Sequence, residues 1–305
     1  MKKTMALILG LALIISMAGC GKAAAETKAN SSGKEVAVTA VAAENEDYFV
    51  WDGNAITGLS ESGLKQTELV IPDKCETVNE YACAENPILE KLSFANPDTT
   101  IGGGAFYNSP VLSSVVLPAN LVIMTDAFSM TAITAIVIPD SVKTISYGAF
   151  QLCYKLASVT LGEGVEEIGT DAFGDNKSIK EINFPASLKT IGERAFSGCA
   201  SLTTITFAEG LEEIGEDAFS PCTSLTSIKL PEGLTILGNG AFSVSPYITE
   251  VYLPATLENI PAGTFSNIDG LNVYVKEGSW ADVHFEEYSV KDYDSGEALY
   301  AKTYY

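Results

Sequence analysis

Phenylalanine recurs along this chain at an almost fixed interval. Phe106, Phe128, Phe150, Phe173, Phe196, Phe219, Phe242 and Phe265 follow one another at 22 or 23 residues. Alanine precedes each of them except the last, which follows Thr264, and Ala82-Cys83 holds the same place in an earlier unit. Six residues after most of these rings comes an apolar run such as LASVTL (156–161), IKEINF (179–184), LTTITF (202–207), LTSIKL (225–230) or ITEVYL (248–253). A proline often follows, and then a second short run, as in VEEIG (165–169), LKTIG (188–192) and LEEIG (211–215).

The spacing sets the architecture. Alternation of apolar and polar residues marks a strand with one face turned inward. Proline after it ends the ladder and turns the chain. A unit of this length has too little surface to bury alone. Stacked on its neighbours it builds a continuous core, so the period predicts a solenoid. Nine units at about 4.8 Å per strand would span on the order of 45 Å. Gly169, Gly192, Gly215 and Gly238 recur at one site. There the chain needs either a left-handed backbone or close approach to the coil beside it.

The recurring patterns A-F-x-x-C-x-x-L and I-P-x-x-V-x-x-I, seen at 149–156 and 138–145, resemble the BspA-type leucine-rich repeat family of bacterial surface proteins. The resemblance covers about 48–275. It implies a leucine-rich-repeat solenoid, mostly β with little helix, of about nine stacked repeats of 21–23 residues. It also implies a β-hairpin cap at YFVWDGNAITGL (48–59) and a short helical cap at VKEGSWADVHFEEY (275–288). Three units depart from the pattern. The first has Cys83 in place of Phe, the third is shortened to 21 residues between Leu117 and Ile138, and the last strand, LNVYV, has lost a residue. The tail from Ser289 to Tyr305 matches no part of the repeat, and its sequence leaves open whether it packs back or stays loose.

The first residues follow a different logic. Lys2 and Lys3 precede an apolar stretch from Thr4 to Met17 that is too short for a typical membrane span. Met17-Ala18-Gly19-Cys20 then resembles a bacterial lipobox, which implies cleavage before Cys20 and acylation of its thiol. The expected organisation is a lipoprotein leader at 1–19, a lipidated cysteine and flexible tether at 20–47, the solenoid with its first cap at 48–275, and a closing cap and tail at 276–305. Val36–Val41 is the one place in the tether where a short strand is conceivable. A lipid on Cys20 would hold the chain to the outer face of a cell membrane without crossing it.

Composition narrows the function. The formal charge is −21, and −23 once Lys2 and Lys3 leave with the leader. That acidity argues against a nucleic-acid partner, since phosphate binding needs clustered Lys and Arg. One histidine, His284, serves the whole chain and falls in the expected closing helix as a surface residue. A Ser-His-Asp, Cys-His or His-rich metal site is therefore not expected, and no cofactor or metal is implied. Paired carboxylates recur on the outer turns as a solvated face. Besides Cys20 there are five cysteines, with Cys153, Cys199 and Cys222 each three residues after a repeat Phe. They read as small core residues. Cys75 and Cys83 share one unit, and secretion would permit a bridge between them. Trp51 and Trp280 fall in the two caps as structural residues.

The outward positions of the longer strands define the candidate binding strip. These are Lys91 and Ser93, Ser114 and Val116, Ala135 and Val137, Ser158 and Thr160, Glu181 and Asn183, Thr204 and Thr206, Ser227 and Lys229, Glu250 and Tyr252, and then Tyr274. Threonine, serine and valine suit any exposed sheet. The same strip also fits the concave docking surface that solenoids offer, with Val116 and Val137 as an apolar spot and Tyr252 and Tyr274 as an aromatic end. The resemblance implies attachment to proteins on host or neighbouring cells. A glycan-binding module and a purely structural envelope protein remain the alternatives.

Overall fold

The computed structural model describes residues 46–121, 125–289 and 300–305. The leader, Cys20, the tether up to residue 45 and the strand considered at Val36–Val41 lie outside them. Among the described residues no helix is long and apolar enough to cross a membrane.

The chain is a stack of repeated coils, most of them adding one longer and one shorter strand. It opens on an antiparallel hairpin in which Phe49–Asp52 pairs with Ala55–Leu59. Ala55–Leu59 then starts a parallel row of two-residue strands through Thr77–Val78 and Thr100–Ile101. The row resumes at Thr144–Ile145 and runs through Glu167–Ile168, Thr190–Ile191, Glu213–Ile214 and Ile236–Leu237. The second residue of each two-residue strand in this row, an isoleucine, leucine or valine, points inward, while Lys143 and Lys189 at its outer edge pair with Glu166 and Glu212 of the next coil at 2.7 and 3.0 Å. The paired carboxylates of the outer turns are thus solvated, and such exposed pairs contribute only about 0–1 kcal/mol each.

The eight repeat phenylalanines form one continuous stack. Consecutive rings from Phe106 to Phe265 lie 5.2–6.0 Å apart at interplanar angles of 2–13°. All are at most 1% exposed. The preceding alanine has its own role. The amide of each Phe from Phe106 to Phe242 donates to the carbonyl of the Ala (or Thr264) one coil on, at 2.8–3.0 Å. Ala sits where only a small side chain fits, and it too is buried. The amides two residues to either side, such as those of Asp171 and Asp175, donate to the next coil as well.

Left-handed backbone recurs beside this ladder. Asp126, Gly148, Asp171, Arg194, Asp217 and Gly240, each two residues before a ring, have φ between 51° and 68°. Asn108, Met130, Leu152, Asp175 and Val244, each two residues after one, have φ between 51° and 59°. The glycines singled out by the repeat are not the left-handed ones. Gly169, Gly192, Gly215 and Gly238 are there for close approach: an added Cβ would lie 2.3–2.9 Å from backbone of the preceding coil. Of the two readings open in the sequence, close approach is the one the structure supports.

The cysteines belong to the same ladder. Cys153, Cys199 and Cys222 donate their S–H to the carbonyls of Phe128, Phe173 and Phe196 at 3.2–3.4 Å. Asn176 does the same for Phe150 at 2.9 Å. After Phe150, Phe173, Phe196 and Phe219 the position three residues on therefore carries a small buried donor for the previous coil. Burial pushes the thiols up, to about 11 for Cys75 and about 12 for Cys83 and Cys199. The bridge considered between Cys75 and Cys83 is not formed, and both are buried free thiols.

Two short helices, Trp280–Val283 and Phe285–Tyr288, close the far end. Ser279 caps the first through its side chain. His284, expected as a surface residue, sits between the two helices half-buried. Its ring stacks on Trp280 at 4.4 Å, and its Nδ1 lies 3.0 Å from the Trp280 carbonyl. Trp280 packs against the core, as does Trp51 at the other cap. The tail packs back in part. Tyr300 is buried with its hydroxyl on the Phe265 carbonyl, and Ala301–Tyr304 pairs in parallel with Asn272–Val275.

Candidate binding face

The longer strands form the front of the solenoid, and their alternation places one residue in and the next out. Ile136, Ile182, Ile228 and Val251 are buried, while the side chains between them face solvent. Val116, Val137, Ser158, Thr160, Glu181, Asn183, Thr204, Thr206, Ser227 and Lys229 are exposed, and Glu250, Tyr252 and Tyr274 are half-buried. The structure thus brings every strip residue read from the sequence onto one face, in two parallel rows. Register shows the rows directly: Ser158 lies beside Ala135, Glu181 beside Thr204, Ser227 beside Glu250, and Lys229 beside Tyr252 and Tyr274 in turn.

The strip is divided into blocks. The front strands pair as 68–71 with 91–94 and 114–115, as 135–137 with 158–160, as 181–183 with 204–206, and as a last group from 227–229 to 301–304. Between the second and third blocks the ladder opens into a shallow cleft of about 260 Å³. Thr160 and Asn183 line it, with Glu163, Phe184 and Pro185. At the break Val159 is half-exposed, whereas Ile136 beside it is buried.

The two ends of the strip differ in chemistry. Val116 and Val137 are 60% and 65% exposed at the N-terminal end. At the other end the Tyr252 and Tyr274 rings stack at 4.3 Å and 8°. Glu250 accepts from both hydroxyls at 3.4 Å. Partial burial, with the Glu250 carboxylate close by, pushes the Tyr252 phenol above its usual range, so it stays protonated at neutral pH.

Sequence reasoning missed part of this end. Asn272 sits beside Glu250 in the first row, and a strict count through the shortened last unit would have found it. Ala301 and Thr303 extend the rows beside Asn272 and Tyr274. Tyr305 stands against Tyr252 at 5.6 Å and 83°, its hydroxyl donating to the Leu253 carbonyl at 2.9 Å. Lys276 lies 5.8 Å from the Tyr305 ring centroid and pairs with Glu232. No repeat signal marks the tail, so nothing in the sequence pointed to Tyr305. Among the described residues no three His, Cys, Asp or Glu side chains gather as a metal site would require.

Several solved bacterial proteins are similar in structure. A leucine-rich repeat protein from Bacteroides ovatus is 19% identical, with 82% of this chain and 87% of that one covered and a TM-score of 0.40. One from Eubacterium ventriosum is 18% identical, with 74% and 73% covered and a TM-score of 0.44. A leucine-rich cell surface protein from Faecalibacterium prausnitzii is 19% identical, with 77% and 94% covered and a TM-score of 0.33. A comparison with curated proteins found no match. The family model described as the BspA type leucine rich repeat region matches in six copies, over residues 61–180 and 143–272. With the repeats, the phenylalanine stack and most of the chain matched, the protein belongs to the BspA-type leucine-rich repeat family.

Proposed function

We propose that the chain is a non-enzymatic, lipid-anchored surface scaffold that binds a macromolecular partner along its outward strip. One observation carries the reading. Coil after coil the buried positions repeat the same residue types, while the outward ones change from valine to serine, threonine, glutamate, lysine and tyrosine. The fold does not constrain these side chains, and solenoids offer such surfaces for docking. A binding or adhesion role is what the family suggests. The surface location rests on that membership together with the lipobox ending at Cys20.

A soluble form starting at Glu44, screened against matrix proteins and glycans at physiological salt, tests the binding role. Thr204→Ala with Thr206→Ala should weaken an identified partner several-fold and leave the melting temperature unchanged, since exposed sheet positions shift stability by only about 0.5 kcal/mol. Unchanged affinity would move the site off the strip. Loss of membrane association and of fatty-acid labelling in Cys20→Ala tests the anchor. Continued labelling would refute it.

A further inference from the structure

We propose that the tyrosine corner at the C-terminal end of the strip is a subsite for a neutral carbohydrate. This rests on the strip being a binding face and names the ligand class for one end of it. Three aromatic rings meet there: Tyr252 and Tyr274 face to face, with Tyr305 perpendicular to Tyr252. Tyr305 is 47% exposed, and Tyr252 and Tyr274 are half-buried on the front face. Beside Tyr274 the docked tail places the small side chain of Thr303 in the same row rather than another aromatic ring. Sugar C–H edges carry partial positive charge and pack on the negative face of an aromatic ring.

The polar groups around the rings select for hydroxyls. Glu250 already accepts from two phenols through long bonds of 3.4 Å, so its carboxylate can take shorter ones from a ligand. Asn272 beside it, in the first row, supplies both donor and acceptor. A few such groups around an apolar wall fix the orientation of a small ligand.

Charge then decides which kind of sugar. The whole chain carries −21, but this corner is balanced. Lys276 is paired with Glu232, and Lys229 stands beside Tyr252 in the row next to Glu250. An anionic glycan gains nothing from two cations matched by two carboxylates and is repelled by the rest of the molecule. A purely apolar protein anchor fits the exposed Val116 and Val137 better than rings whose hydroxyls stand in a polar setting.

The mature full-length protein should be titrated calorimetrically with neutral oligosaccharides (gluco-, manno- and N-acetylglucosamine hexamers), with heparin and sialyllactose as anionic probes. At least one neutral oligosaccharide should bind saturably. Tyr274→Ala and Tyr252→Ala should each weaken it about tenfold, as expected for loss of one aromatic contact. Tyr305→Ala should weaken it less. Tyr274→Phe, which keeps the ring and its packing, should retain most of the binding, and this separates loss of the site from loss of the fold. Tyr247→Ala, exposed and outside the strip, should change nothing. The proposal is overturned by silence from every neutral probe, by preference for the anionic ones, or by binding that survives Tyr274→Ala. A protein partner weakened by Thr204→Ala with Thr206→Ala yet indifferent to the tyrosine variants would overturn the sugar site while leaving the scaffold reading intact.

Discussion

The phenylalanine side and the front sheet of this solenoid share one period but not one degree of order. The ring stack is unbroken from Phe106 to Phe265, and the amide of every ring but the last is tied to the following coil. The front sheet, built from longer strands, is interrupted three times. Vertical continuity is therefore carried by the buried ladder rather than by the front sheet. A front relieved of holding the coils together can vary its outward residues and open a cleft between Thr160 and Asn183. The same division explains why cysteine and asparagine interchange three residues after four of the rings. What those sites require is a small donor for the Phe carbonyl of the coil before, not a particular chemistry.

The sharpest way to break this comparison is to interrupt the stack. Phe196 contacts Phe173 at 5.2 Å and Phe219 at 5.4 Å, so Phe196→Ala opens a cavity between two rings. Urea denaturation should show a loss of about 3–5 kcal/mol. A loss no greater than that of an exposed front-strand substitution would mean that the ladder does not carry the fold.

Much of this was legible in the sequence because period and residue type coincide. The ring every 22 or 23 residues, the inward isoleucines and the outward strip all follow from counting. The hairpin and the helical cap followed from the family resemblance. What escaped the count has physical reasons. The breaks in the front ladder fall between strands whose apolar pattern is intact on both sides. The stacking of His284 on Trp280 joins residues four apart across a bend between two short helices, which hydrophobic spacing does not register. Docking of the tail rests on Tyr300 and on backbone pairing of four residues, a contact with no periodic signal. The glycines were legible as special, but close approach and left-handed backbone favour the same residue, so sequence alone could not separate them.

That last ambiguity yields the next largest effect. At Gly238 an added Cβ would lie 2.3 Å from backbone atoms of Glu216 and Gly215. Gly238→Ala should cost about 1–3 kcal/mol through overpacking between coils. Gly270→Ala meets nothing within 4 Å but sits at φ +70°, so only backbone strain of about 1 kcal/mol applies. Thermal melts of the pair separate crowding from strain, and equal losses would refute the close-approach assignment at Gly238.

Next to the stack lies a short polar row whose energetics should be smaller. Arg194, the single arginine of the chain, holds Asp171 through two bonds of 3.0 and 2.9 Å. The Asp171 side chain is only 8% exposed and the Arg194 side chain 44%. Arg194→Met leaves a nearly buried carboxylate without its fork and should cost roughly 1–2 kcal/mol. Arg194→Lys should recover part of this, since one ammonium cannot reproduce a bidentate contact. Full recovery would show that charge alone matters there.

The smallest effect concerns Asp126, two places up the same row. Its carboxyl is raised above the usual 3.8, first by desolvation and then by the charge of Asp171. The folded chain therefore binds that proton more tightly than the unfolded one. By linkage its contribution to stability falls as pH rises from about 3.8 through the raised value, and the penalty is complete above it. Asp126→Asn removes the penalty, so the variant should be slightly more stable than the parent at pH 7, with the gain vanishing as pH drops below 3.8. The gain should grow when Arg194 is also replaced, because Asp171 then repels Asp126 without a counter-charge. Chemical denaturation at both pH values in the two backgrounds reads this directly. A variant less stable at pH 7 would show that the Asp126 carboxylate supports the left-handed turn more than its charge opposes it.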